Sequence, residues 1–526
     1  MLPMSPCAAA AGARHPSDSS GLVTPAPAAL RGGMILRFLC FFAFLLPAVA
    51  APAQTVTADA LRRHIEVLAS DAFEGRGPGT EGEKKTIAYI SERMRSYGLE
   101  PAAGNGSWYQ PVGVVTRLAR GQSASFKPKR GKALSLDQGA LMLIGRTGSE
   151  RVAGAPVWFA GHGIAEQLGN ADLRGAAVLI LYESADKPNF PAFRERAEVL
   201  TKRGAAAVIA IYRKSIPWEA IRHAYQEGQT RLAGDPVAAI QGALSEEGAG
   251  RLARAAGTDF LTLVGRPYRD GFTAMRLPFT VSLSAASEVR PIETHNVLGR
   301  IRGSGNTVES VLYLGHWDHL GICAPEGAAD RICNGAVDNA SGIAVLLEVA
   351  RGLAAGPKPK RDILFLATTA EEMGLLGATH FAAHPTVPLT SIVAAMNLDT
   401  VAISPKGEKV AVIGGGMPAL DAVLAQTISA MGRVRDTDKE ADPFITRQDG
   451  WALTRAGVPA IMVGGSFSDM KALEGFLSGP YHKPEDDLSR PLVLEGAAED
   501  ADLHIALGRK LADPAAYPTP AAGARP

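Results

Sequence analysis

The chain has 526 residues, 46% hydrophobic and 20% charged, a globular composition too long for one ordinary compact domain. Its 54 Lys and Arg against 53 Asp and Glu give no global pull toward nucleic acid or acidic lipid. Aromatic residues are 6% and do not cluster with basic ones, so no nucleic-acid partner is expected and function must lie in local sites.

Residues 1–33 are rich in Ala, Pro, Gly and Ser and carry no periodic apolar face, which predicts no fixed structure. Met34 to Arg37 then leads into the apolar run Phe38 to Leu46 and an Ala-x-Ala end, the pattern of a secretory signal peptide cleaved near Ala50 or Ala53. Met34 is accordingly a second candidate start. The run is short for a membrane span, so no stable span is expected after cleavage and the expected location is the periplasm or the exterior. Cys323 and Cys333 are the cysteines left beyond this leader, in one polar loop. A local disulfide, a metal site and two free thiols all fit that placement, and an oxidising compartment favours the disulfide.

Apolar spacing predicts helices over Ala58 to Ala69 and Lys84 to Tyr97, separated by the glycine-dense loop Asp71 to Gly79. From 120 to 285, short β-type runs (Ala155 to Ala160, Ala177 to Tyr182, Ala206 to Tyr212) alternate with Gly- and Ala-rich helices, predicting a separate non-catalytic domain. His162 stands apart from other ligand types there and reads as a turn residue. From 286 to 512, strands at Ser310–Leu314, Arg361–Leu366, Ile392–Met396 and Pro459–Val463 alternate with helices at Ser341–Ala354 and Met417–Met431. That alternation predicts an α/β fold, a mixed twisted sheet flanked by helices, with ligands bound at the carboxyl ends of strands.

Polar clusters fall at those ends: Gly315-His316-Trp317-Asp318-His319, Val337-Asp338-Asn339, Ala370-Glu371-Glu372, Asn397-Leu398-Asp399 and Tyr481-His482-Lys483. Singly, each reads as a turn or a structural residue. Together they offer the imidazole and carboxylate donors suited to paired divalent metals.

These words, with Asn334 to Gly342 and Glu371 to Gly377, resemble the co-catalytic zinc exopeptidases that include bacterial leucyl aminopeptidases and glutamate carboxypeptidase-like enzymes. Asp71 to Gly79 is similar to the segment ahead of their catalytic domain, and Gly161-His-Gly-Ile and Asp172-Leu-Arg-Gly resemble their inserted protease-associated (PA) domain. The resemblance implies a zinc-dependent exopeptidase (phosphorylase/hydrolase-like) fold with a β-rich PA insertion. It divides the chain into a leader (1–53), an N-terminal part of the peptidase domain (54–119), the PA-like insertion (120–285), the catalytic domain (286–512) and a tail (513–526). It implies two Zn2+ per chain and peptide substrates. His316 and Asp399 would hold one zinc, Glu372 and His482 the other, with Asp338 bridging and followed by a cis peptide. Glu371 is the implied general base, Tyr481 the oxyanion donor, and Asp318 the residue that orients His316. The expected activity is that of an aminopeptidase. Alternatives of the same fold are a carboxypeptidase or dipeptidase, a glutaminyl cyclase relative, and a receptor-like binding protein without catalysis. Asp449, in Gln448-Asp449-Gly450, falls where these enzymes often carry an acidic residue, but Gln448 stands where many have Ser, and Asp449 reads as a turn former.

Overall fold

The computed structural model describes residues 55–183, 190–520 and 525. The expected leader and part of the expected tail (521–524 and 526) lie outside the described residues. Among the described residues no helix is long and apolar enough to cross a membrane.

The chain opens with the helix Ala58–Leu68, capped by Thr57, whose side chain accepts from the Ala60 amide. The loop expected over Asp71 to Gly79 begins as a 3-10 helix, Asp71–Arg76, and the second helix runs Glu81–Ser96. A mixed sheet follows, ordered Ala411–Ile413, Ala460–Gly464, Ile392–Asn397, Ser310–His316, Asp362–Thr368 and Met275–Ile301. The four central strands are parallel and the two outer ones pair antiparallel.

Side chains on a strand alternate between faces, and each face has its own core. Val311 and Tyr313 share a core with Val345 and Val349 of the Gly342–Ala354 helix and with Leu507 of the Leu494–Leu511 helix. Leu312 and Leu314 point the other way, into a core with Phe381 and Leu453. All these side chains are almost fully buried, each contributing about 1.5–3 kcal/mol relative to exposure.

The segment 120–285 has cores of its own. Ala177–Leu181 and Ala207–Ile211 are parallel neighbours, with Leu179 and Ile209 in one core and Val178 and Val208 in another. No linker joins this segment to the catalytic sheet. Two long strands, Tyr109–Pro128 and Met275–Ile301, run antiparallel through both regions and connect them into one 15-stranded sheet. The expected boundaries at 119/120 and 285/286 fall inside these strands, where the register shifts between Ala286 and Ser287. Cys323 and Cys333 are joined by a disulfide across the short hairpin Gly321–Ile322 and Ile332–Cys333.

Candidate metal centre

Each expected site residue sits at or just beyond the carboxyl end of a sheet strand, or in a loop packed over those ends. His316 ends its strand, Glu371 and Glu372 follow Thr368, and Asp399 follows Asn397. Asp338 lies in the turn entering the Gly342–Ala354 helix, and its peptide bond to Asn339 is cis, as the resemblance implies.

His316 Nδ1 donates to the main-chain carbonyl of Asp318 at 3.1 Å. That bond fixes the tautomer and turns Nε2 toward carboxylates: 3.3 Å from Asp338 Oδ1, 3.6 Å from Asp399 Oδ1 and 4.0 Å from Glu371 Oε2. On the other side, His482 Nε2 lies 2.9 Å from Glu372 Oε2 and 3.3 Å from Asp338 Oδ2. Asp338 thus turns one oxygen to each histidine. Among the described residues His316, Asp338 and Glu372 form the one group whose donor atoms lie close enough together to hold a metal ion, within 4.8 Å of one another.

Asp318 acts on His316 through its main chain, with its carboxylate 3.9 Å from Nδ1. The buried carboxylate instead accepts from the amides of Glu371 at 3.1 Å and Glu372 at 3.4 Å, and so holds the turn that carries both glutamates. Tyr481 stacks on His482, ring centroids 3.7 Å apart, and lines the same cleft as Glu371.

Several residues without an assigned role in the sequence support the site. Asn339 Nδ2 donates to the carbonyls of His316 and Leu398, while its Oδ1 accepts from the amides of Gly342 and Thr400. Asp486 accepts from the amides of Val337 and Asp338. His319 places Nδ1 2.5 Å from Glu372 Oε1, and its position in the Gly315 to His319 cluster was the available signal. Asp449 stands in the turn that opens the helix Gly450–Arg455, and its side chain faces the interior. It is 1% exposed, and its carboxylate accepts from the Thr368 hydroxyl.

The electrostatics are those of a buried excess of negative charge. Burial pushes Asp318 up to about 8 and Asp449 up to about 6. Burial, reinforced by Asp449 and Asp399 against the opposing pull of His316, holds Glu371 well above the usual carboxylate range. Burial alone would lower His316, but Glu371, Asp399 and Asp338 outweigh it and raise it well above the usual histidine range. His482 rises to about 9, because Asp338 and Glu372 outweigh its burial. Carboxylates gathered out of water call for compensating cations, and the oxygen and imidazole donors here suit zinc.

Residues 296–503 match the sequence model of Peptidase family M28. A "Probable zinc metalloprotease" of Pyrenophora teres f. teres is 38% identical over 111 residues, 21% of this chain and 23% of that protein. The rat "Aminopeptidase NAALADL1" is 36% identical over 106 residues, 19% of this chain and 13% of that protein. The chain therefore spans about a quarter or less of the length of these curated relatives. A solved aminopeptidase from Aneurinibacillus sp. strain AM-1 is 19% identical with a TM-score of 0.49, covering 86% of this chain and 93% of that one. The segment that holds His316, Asp338, Glu371, Glu372, Asp399 and His482 is a Peptidase family M28 domain.

Proposed function

We propose that this chain is an exported metallo-exopeptidase that removes N-terminal residues from peptides and holds two zinc ions. The observation that carries the reading is the division of Asp338, with Oδ1 3.3 Å from His316 and Oδ2 3.3 Å from His482. In this reading His316 and Asp399 would hold one cation, Glu372 and His482 the other, and Asp338 would serve both. Cations held there would supply a lowered pKa for an attacking water and polarisation of the scissile carbonyl. Glu371 takes the proton of that water and passes it to the leaving amine. Burial raises the Tyr481 phenol, which keeps its proton and can donate to the oxyanion. Phe444, Met462, Phe467, Leu473 and Leu477 give the cleft an apolar wall for a substrate side chain.

Export is supported by the leader pattern and by the Cys323–Cys333 disulfide, which suits the periplasm or the exterior. Residues 120–285, with cores of their own, are read as a PA-like domain that narrows access to the site. Unchanged peptide-size selectivity after removing that segment would count against its shielding role.

The test is release of a chromogenic amine from aminoacyl substrates, before and after chelation, with Glu371→Gln as control. The reading fails if wild type and Glu371→Gln are equally inert while both retain metal.

A further inference from the structure

The cleft that holds the candidate centre contains one cation that the mechanism does not use. Arg447 is the last residue of the 3-10 helix Asp442–Arg447, and it lines the cleft with His316, Asp338, Glu371 and Tyr481. Its guanidinium carbon lies 5.3 Å over the Phe444 ring. Among the described residues it makes no hydrogen bond or ion pair, although carboxylates crowd the floor of the same cleft. An arginine serving as a counterion to those carboxylates would close on one of them. The Phe444 ring lies beside this exposed guanidinium at cation–π distance, and the N–H groups of Arg447 are open to a planar, bidentate acceptor. Arg447 lines this cleft together with Tyr481, the proposed oxyanion donor.

We infer that Arg447 binds a carboxylate of the substrate close to the scissile bond, so that the site favours short peptides with a negative charge there. The inference rests on the peptidase reading of the cleft and adds the substrate class. The carboxylate has two sources, the chain terminus of a dipeptide or an acidic side chain beside the cleaved bond. The acidic floor, with Asp338, Glu371 and Asp399, repels a carboxylate placed elsewhere in the cleft.

The test is calorimetric binding to the metal-loaded protein of leucyl-leucine whose scissile amide is replaced by a methylene-amine, as free acid and as amide. Wild type is expected to bind the free acid about tenfold more tightly than the amide. Arg447→Gln erases that difference, Arg447→Lys retains part of it, and Arg447→Glu reverses it. Equal affinities in wild type, or discrimination that survives Arg447→Gln, overturn the inference. Amidated analogues with glutamate on either side of the replaced bond separate the sources. Tight, Arg447-dependent binding of these assigns a side-chain carboxylate, and tight binding confined to the free acid assigns the terminus. Failure of the peptidase reading would look different: the parent dipeptide would remain uncut while the Arg447-dependent discrimination persisted.

Discussion

Arg76 Nε donates to the main-chain carbonyl of Trp317 at 2.8 Å, joining the N-terminal segment to the residue that follows His316. The same fully buried guanidinium donates to the carbonyls of Leu68, Asn334 and Gly335, just ahead of Asp338. Burial pulls it down to about 10 against the attraction of Asp338 and Asp486, so it remains charged near neutrality. Arg76→Met would leave these carbonyls unpaired in the interior. The expected cost is roughly 3–5 kcal/mol in urea unfolding, with weaker metal retention. Arg76→Lys, which keeps the charge without the fork, should fall between.

Metal content should divide according to the two sides of Asp338. Asp338→Asn is expected to reduce both metals, and Asp399→Asn or Glu372→Gln to leave about one per chain. Elemental analysis after gel filtration reads the difference. Equal losses in all three variants would contradict the assignment of Asp338 to both sides.

Glu371→Gln should keep its metals and lose turnover by roughly a hundred- to ten-thousand-fold, because a proton carrier is removed and no ligand is. The loss should appear in kcat more than in KM. Chelation should abolish wild-type activity, and added zinc should restore it.

Acid should destabilise the fold through a group outside the cleft lining. His504 is buried, its Nε2 2.9 Å from the Val463 carbonyl, and burial lowers it from 6.5 to about 4. Its folded value lies below its unfolded value, so between those two pH values the unfolded chain binds the proton more readily. Stability is therefore complete above 6.5 and falls as pH drops toward 4, by about 2 kcal/mol at pH 5. Urea midpoints at pH 7 and pH 5, taken with chelator present, should show a smaller acid loss in His504→Gln.

The catalytic strands were legible because parallel strands buried on both faces read as continuous apolar runs, and the ligands follow directly on them. Ser310–His316 and Ile392–Asn397 exceed their expected spans by one or two residues that end on polar side chains. Tyr109–Pro128 and Met275–Ile301 were not anticipated. Each serves different cores along its length and passes through Gly, Ser, Pro and charged residues, so no single periodicity marks it. Arg76 and Asp449 look ordinary for another reason. A lone Arg in a glycine-rich loop or an Asp before Gly takes its meaning from partners far along the chain, such as Asn334 and Thr368.

The 27-residue strand Met275–Ile301 also has a mechanical meaning. At about 3.3 Å per residue its contour approaches 90 Å, and it is laced along most of that length to Tyr109–Pro128. A paired ribbon behaves as a leaf spring, soft to bending across its face and stiff to swivelling. The segment 120–285 is therefore joined to the catalytic sheet by continuous paired backbone, reinforced by the Arg455–Glu195 ion pair, and lacks the free tumbling that a flexible tether allows.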